Sequence, residues 1–134
     1  MNAPRWIRED ALRNAHQKQL AIHGGADGVR DINLLRSALA RPQSLYAYGE
    51  PAPDLAALAA AYAFGLAKNH PFMDGNKRVS LLAADGFLQI NGWQINASQT
   101  EVYDAFYTTA AGSTSEEEIA QWIRGHLVPL VEEL

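Results

Sequence analysis

The sequence predicts an all-α fold, a single-domain bundle of about six helices over residues 1–134. Helix start and stop signals recur along the chain, whereas the alternating pattern of strands is weak throughout. Residues 55–67 carry no charge, which indicates a helix that is buried on all sides. An apolar fraction of 48% with a charged fraction of 19% is typical of a globular protein, so the chain is long and apolar enough to bury a core.

The first two helices are bounded by glycine, aspartate and proline signals. The first is expected over residues 9–22, and Gly24-Gly25 would end it because glycine readily adopts a left-handed cap. Asp31 is a suitable N-cap for a second, short helix through Ala40, which Pro42 is expected to end. Residues 41–53 contain three prolines and several aromatic residues, and they are predicted to form an exposed loop.

The next two helices are predicted to form the core of the bundle. The third begins after its N-cap, Asp54, and continues to about Asn69, and the fourth is expected over residues 76–91. Ser98 and Ser115 are each followed by glutamate three residues later, so each opens a further helix as a capping box. The short segment between the third and fourth helices is then the most constrained loop, and we expect the active site there.

Composition and charge exclude several classes of function. The net charge of −4 gives no general attraction to nucleic acid or to an anionic membrane, so any anion must bind at a local site. With no cysteine, disulfides, thiolate metal sites and thiol nucleophiles are excluded. The first residues lack the apolar stretch of a signal peptide, and no uncharged apolar run reaches the roughly 18–20 residues that span a bilayer. These features predict a cytoplasmic protein.

Residues 70–78, with the sequence HPFMDGNKR, break a rule of helix electrostatics. Lys77 and Arg78 fall in the first turn of the fourth helix, where the helix dipole is positive and each cation costs about 0.3–1 kcal/mol. Local violations of this kind tend to mark functional sites. Gly75 permits a tight entry into a helix whose first N–H groups lack intrahelical partners. N–H groups, a positive dipole end and two cations together predict a phosphate site.

Two neighbouring side chains complete a plausible set of groups for phosphate transfer. Asp74 precedes the cationic cluster, and a carboxylate beside bound phosphates is a usual way to hold Mg²⁺. His70 carries an imidazole, a side chain suited to accept a proton from an attacking hydroxyl, an effect typically worth ~10²–10⁴ in rate. A base, a metal carboxylate and a phosphate cradle are the parts that phosphoryl or nucleotidyl transfer requires.

Other interpretations of the same residues remain open at this point. Asp74-Gly75-Asn76 is also ordinary turn and N-cap chemistry, and a histidine before proline is often a loop residue bonded to backbone. A metal site made of histidine and aspartate alone lacks a third ligand nearby. The glycine spacing does not match a Walker phosphate loop, and no strand precedes it.

The segment 70–78 resembles the signature of the Fic/Doc family, specifically its death-on-curing (Doc) branch. The similarity covers roughly residues 6–125. Further segments resemble that branch: Ile22-His23-Gly24-Gly25, Gly28-Val29-Arg30-Asp31, Leu35, Ala38-Leu39-Ala40-Arg41-Pro42 and Phe87-Leu88-Gln89-Ile90-Asn91-Gly92.

The resemblance implies a helical fold with the motif between two central helices, and it implies a role for each motif residue. His70 would be the general base for a protein hydroxyl, and Asp74 would bind Mg²⁺. Gly75, Asn76 and Lys77 would contribute to an anion hole, and Arg78 would contact phosphates.

Two positions bear on which group is transferred. Fic enzymes that transfer AMP usually carry glycine at the position of Lys77 and a second arginine at the position of Leu81. Doc-type members differ from those enzymes at both positions, as this chain does. The resemblance therefore implies transfer of phosphate from a nucleoside triphosphate such as ATP to a protein substrate such as a translation factor. AMP transfer and a catalytically silent module that binds antitoxin or nucleotide are the alternatives.

Fic-like proteins also carry a flap that pairs with the target's backbone, and the predicted loop with Ser44, Tyr46 and Tyr48 is the candidate here. An ordinary surface loop is the competing interpretation. The self-inhibiting motif of many Fic proteins has no good match, since Ser113 and Glu117 are better explained by a helix cap. The resemblance then implies inhibition in trans by a separate antitoxin protein. His16 receives no functional role from the sequence.

Overall fold

Six helices and two short strands make up the part of the chain that the computed structural model describes, residues 3–130. The all-α prediction is confirmed. Residues 1, 2 and 131–134, which the single-domain prediction includes, lie outside the described residues. The elements in order are α1 (Glu9–His23), α2 (Ile32–Tyr48), α3 (Leu55–Asn69), α4 (Asn76–Ile90), β1 (Trp93–Ile95), α5 (Gln99–Ala110), α6 (Glu116–His126) and β2 (Leu127–Pro129).

Helix α3 lies at the centre and packs chiefly against α4, α2 and α6. Its alanine-rich surface is buried on every side, as the absence of charge predicts, with Ala59, Ala60, Ala61, Tyr62 and Ala63 all at 0% exposure. Small side chains let the neighbouring helices approach closely. Burial of each large apolar side chain around this helix contributes about 1.5–3 kcal/mol, which fixes α3 and α4 as the frame for the loop between them.

The predicted end of the second helix was wrong. Helix α2 does not stop near Ala40 but continues to Tyr48, with Pro42 buried in its interior. An interior proline removes one helical hydrogen bond and costs about 3 kcal/mol or more. Packing offsets this cost, because Leu45 and Tyr46 extend the apolar face of α2 against the core beyond the proline.

The predicted exposed loop at residues 41–53 is therefore mostly helix. Ser44, Tyr46 and Tyr48 lie on α2, and the true connection to α3 is the short segment 49–54. The ring of Tyr46 packs edge-on against Trp6 at 5.7 Å, whereas Tyr48 is 85% exposed. The candidate flap thus lacks the loop conformation on which that prediction depended.

The other helix boundaries follow the local signals in the sequence. The side chain of Asp31 accepts hydrogen bonds from the N–H groups of the first turn of α2, and Asp54 does the same for α3. Both predicted capping boxes, at Ser98 and Ser115, form with their two reciprocal hydrogen bonds. Asp54 also pairs with Arg124 of α6 at 2.6 Å, and this hydrogen bond lowers the pKa of the Asp54 carboxyl.

The two strands pair antiparallel, with Gln94 opposite Val128, and they join the end of α4 to the end of α6. Among residues 3–130, no helix is both long enough and apolar enough to cross a bilayer.

Candidate active site

The loop between α3 and α4 reverses the chain within six residues. His70 ends α3 in the left-handed conformation (φ 48°, ψ 56°), and the proline that follows it disfavours continuation of the right-handed helix at this residue. Phe72 is buried to 1% exposure and anchors the loop. Gly75, at φ 79°, is the N-cap of α4, a conformation that glycine adopts at little cost.

The side chain of Asn76 holds this loop in shape. Its Oδ1 accepts a hydrogen bond from the Phe72 N–H at 3.0 Å, and its Nδ2 donates to the Phe72 carbonyl at 3.0 Å. The amide is therefore occupied by the loop backbone. What Asn76 offers to an anion in this arrangement is its backbone N–H at the start of α4.

His16 of α1 packs against the loop, a contact that the sequence did not reveal. Its ring is buried, stacks on Phe72 with centroids 3.9 Å apart, and places Nε2 2.8 Å from the Asp74 carbonyl oxygen. Since a carbonyl only accepts, His16 Nε2 carries the proton and donates. The available signal was a histidine in the apolar stripe of α1, between Leu12 and Leu20.

Arg30 holds the other end of the loop. Its Nε donates to the His70 carbonyl at 2.7 Å, and a terminal nitrogen donates to the Asn69 carbonyl at 2.8 Å. These are carbonyls at the C-terminus of α3, where the helix dipole favours a cation. The backbone beside Arg30 pairs with the loop like a strand, because Val29 and Phe72 form an antiparallel bridge. The orientation of His70 thus depends on a segment 40 residues earlier in the chain.

The start of α4 is open and positive, as the sequence predicts. The first helical bond joins the Val79 N–H to the Gly75 carbonyl, so the three preceding N–H groups have no intrahelical acceptor. Lys77 and Arg78 are exposed, and neither forms an ion pair within residues 3–130. The Nζ of Lys77 lies instead over the ring of Tyr107, 4.6 Å from its centroid.

Asp74 is exposed beside this helix start. Its Oδ1 accepts the Gly75 N–H at 2.8 Å, and its Oδ2 lies against the backbone of Gly25, where a Cβ would come within 2.8 Å. The glycine pair after α1 therefore leaves room for the carboxylate as well as ending the helix. Within residues 3–130 no three histidine, aspartate or glutamate side chains cluster to hold a metal. One accessible carboxylate beside a phosphate site does fit Mg²⁺, which takes one or two carboxylates and completes its shell with water and substrate phosphate.

The structure brings most of the predicted site residues into one cleft of about 440 Å³. His70, Asp74, Gly75, Asn76, Lys77 and Arg78 all line it, whereas Ser44, Tyr46 and Tyr48 do not. Leu81 lines the same cleft one helical turn beyond the cations. The motif thus forms one wall of a continuous cavity.

The opposite wall belongs to α5 and was missed. Tyr103, Phe106 and Tyr107 line it, about 30 residues after the motif in the chain. Phe106 is buried, but Tyr103 and Tyr107 are 61% and 46% exposed. The spacing of the two tyrosines, one helical turn apart, was the only signal in the sequence, and it did not indicate which surface they would face.

Comparison with known proteins agrees with this geometry. The model of the Fic/DOC family matches residues 6–88, which is more than half of the chain and includes the whole motif. The chain belongs to the Fic/DOC family. Its relatives include the toxin Doc of Mycolicibacterium smegmatis, 51% identical over 75 residues that cover 55% of this chain and 57% of that protein. The protein kinase Doc of Escherichia phage P1 is 32% identical over 120 residues, covering 90% of this chain and 94% of the phage protein.

Proposed function

We propose that this protein is a Doc-type toxin, a kinase that transfers phosphate from a nucleoside triphosphate to a hydroxyl of a target protein. The observation that carries the proposal is the cleft at the start of α4, where two exposed cations and unpaired N–H groups lie beside an exposed histidine. The relatives named a toxin and a protein kinase support it.

The residues of the cleft have separate roles in binding the donor. Lys77, Arg78 and the first N–H groups of α4 bind the phosphates, because together they form a local positive end on an otherwise acidic protein. Asp74 would hold Mg²⁺, which would supply positive charge to offset the negative charge of the polyphosphate. Leu81 adds no charge where AMP-transferring Fic enzymes usually have a second arginine.

His70 is the general base of the proposed reaction. The oxygen of the target hydroxyl forms a bond to the γ-phosphorus, the bond from that phosphorus to the bridging oxygen breaks, and the nucleoside diphosphate leaves. The hydroxyl proton passes to the imidazole of His70, an exposed residue that lines the cleft and whose carbonyl accepts a hydrogen bond from Arg30. Such a base contributes ~10²–10⁴ in rate.

The proposal extends to partners and location. The target is a cytoplasmic protein such as a translation factor, ATP is the donor, and a separate antitoxin protein inhibits in trans. AMP transfer is the second candidate. It is favoured by the same His70, Asp74 and Arg78, and it differs in which phosphorus the hydroxyl attacks.

Labelled ATP distinguishes the candidates. The full chain is incubated with bacterial extract and ATP labelled at either the α or the γ phosphate. The proposal predicts protein-bound label from the γ position alone, and label from the α position would establish AMP transfer instead. His70→Ala should abolish the label while folding is retained, whereas His23→Ala, which changes an exposed histidine at the end of α1, should not. No label at either position in extract free of inhibitor would leave only a silent binding module.

A further inference from the structure

The protein has a second cavity, of about 410 Å³, between α2 and α3. We call it the α2/α3 groove. It is separate from the cleft of the motif, because no residue lines both cavities. Its polar lining comes from three residues on one face of α2 and from two at the end of α3: Ser37, Arg41, Ser44, Lys68 and Asn69.

Both charged side chains that line the groove are cations, on a protein of net charge −4. Arg41 and Lys68 lie near the half-buried ring of Phe64, with Arg41 Cζ 5.8 Å and Lys68 Nζ 5.6 Å from its centroid. Because one ring lies close to both charges, a single short peptide segment can reach the two cations and the ring together.

The two cations remain able to bind a further acceptor. Lys68 is exposed and forms no ion pair within residues 3–130. Arg41 pairs with Glu116, which does not line the groove, through Nε and one terminal nitrogen. A guanidinium carries five N–H donors, so this pair leaves Arg41 with donors for a ligand.

Gly65 lines the groove at a position where packing does not require glycine. A Cβ added there would lie 3.5 Å from the Arg41 side chain and 3.6 Å from Ala38, which are ordinary contact distances. Alanine would therefore fit, and it would favour the helix, since glycine weakens a helix interior. Glycine also lets a ligand approach the backbone closely, and a ligand in the groove would explain its presence here.

The groove ends next to the proposed general base. Asn69 lines the groove, and the following residue, His70, lines the cleft. The side chain of Asn69 is fixed, because its Nδ2 donates to the Leu34 carbonyl at 3.0 Å. A segment bound in the groove would leave the phosphate site open, and its continuation would reach the His70 side of the cleft. A protein substrate needs this arrangement because it must bind at the same time as the donor.

We infer that the α2/α3 groove docks an acidic segment of the target protein, apart from the place where the target's hydroxyl reacts. This inference rests on the proposed function. Carboxylates of the segment bind Arg41 and Lys68 by charge-assisted hydrogen bonds. Ser37 and Ser44 offer hydroxyl groups to its backbone, and the Phe64 ring offers an apolar contact.

An octaglutamate peptide tests whether the groove binds acidic chains. The peptide is titrated at low ionic strength into isotopically labelled full chain, with saturating Mg-tripolyphosphate present to occupy the cations of α4. The N–H resonances are followed by NMR. The largest saturable shifts should belong to residues of the groove, namely Ser37, Arg41, Ser44, Gly65 and Lys68.

Charge variants of Lys68 test the electrostatic basis of this binding. An attraction between exposed charges changes affinity by up to about fivefold, and Lys68→Glu replaces it with a repulsion of similar size. Octaglutamate binding should therefore weaken about 2- to 25-fold. Lys68→Arg keeps the charge and should retain the affinity, and Lys18→Glu, a reversal on the exposed surface of α1, is the matched control. Thermal unfolding establishes that each variant is folded, and Lys68→Gln, with up to about a fivefold loss, replaces a reversal that fails to fold.

Kinetics with extract test whether the occupant is the target. The rate of transfer of γ label to protein is measured against increasing amounts of bacterial extract. Lys68→Glu should raise the amount of extract needed for half-maximal rate by about 2- to 25-fold. The affinity for Mg-ATP, measured by calorimetry, should stay that of the wild type, because Lys68 lies outside the cleft.

The outcomes separate this inference from the proposed function. Octaglutamate shifts that are absent, or that are confined to residues outside the groove, would overturn the inference while phosphate transfer stands. Peptide binding in the groove with an unchanged extract dependence of Lys68→Glu would assign the groove to an antitoxin or to a second copy of the chain, and would also overturn it. A wild-type chain that transfers no label to any protein would contradict the proposed function itself.

Discussion

Replacing Arg78 with glutamine should make the protein more stable and less able to bind nucleotide. Arg78 stands in the first turn of α4, where the positive end of the helix dipole makes a cation unfavourable by about 0.3–1 kcal/mol. No ion pair within residues 3–130 offsets this cost. Lys77 is less suitable for this test of stability, because its contact with the Tyr107 ring is worth about 0.5–1 kcal/mol and would be lost with the charge.

The expected gain in the free energy of unfolding corresponds to a rise in melting temperature of roughly 1–5 °C for a chain of this length. Loss of one charge-assisted hydrogen bond to phosphate, about 1.5–3 kcal/mol, should weaken Mg-ATP binding by about 10- to 150-fold. Thermal unfolding and calorimetric titration of the same variant measure the two effects.

Lys18→Gln is the matched control. Lys18 is an exposed cation in the middle of α1, away from either helix end, so its loss changes the net charge equally but leaves the cleft intact. Lys18→Gln should change neither the melting temperature nor the affinity for Mg-ATP appreciably. An Arg78→Gln variant that is less stable than the wild type, or one that is stabilised yet binds Mg-ATP unchanged, would refute the electrostatic reasoning.

Three further predictions concern the support of the site. Gly25→Ala places a Cβ within 2.8 Å of the Asp74 carboxylate, so label transfer should fall and require more Mg²⁺. Arg30→Ala removes two hydrogen bonds from the end of α3, and kcat should fall about 10-fold or more while KM changes less, because the base is displaced and the phosphate site remains. Asp54→Ala should lower the free energy of unfolding by about 0.5–2 kcal/mol at pH 7 through loss of the α3 cap. Since the hydrogen bond from Arg124 lowers the pKa of Asp54, this contribution is present above its usual pKa of 3.8 and disappears as the pH falls below that value.

Each of these variants has its own control. Gly24→Ala also substitutes a glycine of positive φ, but its Cβ meets nothing within 4 Å, so the Mg²⁺ dependence should stay that of the wild type. Arg36→Ala removes an exposed arginine of α2 that pairs with Glu9 and should leave kcat unchanged. If the melting curves of Asp54→Ala and the wild type differ as much at pH 2.5 as at pH 7, the carboxylate is not the source of the stability.

The parts of the fold that the sequence predicted are those controlled by neighbouring residues. Helix caps at Asp31, Asp54, Ser98 and Ser115 act within three residues, so the four helix starts could be identified directly. The end of α2 could not be identified in this way. The tendency of Pro42 to end the helix is offset by packing against helices that are distant in the sequence, and local rules carry no information about that packing.

The candidate site likewise has one part that the sequence predicted and one part that it did not. Its first wall is one continuous motif, so the unfavourable position of Arg78 was visible in the sequence. Its supports and second wall come from α1, the segment before α2, and α5. The contacts of His16, Arg30 and Tyr107 join residues 30 to 58 positions apart, and they follow only from the three-dimensional arrangement of the helices.

The most direct test is to observe the amide groups at the start of α4 while a polyphosphate binds. Mg-tripolyphosphate is titrated into isotopically labelled full chain, and the N–H resonances are followed by NMR. The account predicts that the largest shifts, saturating with the ligand, belong to Asn76, Lys77 and Arg78. Saturable shifts confined to another part of the chain, or none at millimolar ligand, would contradict it.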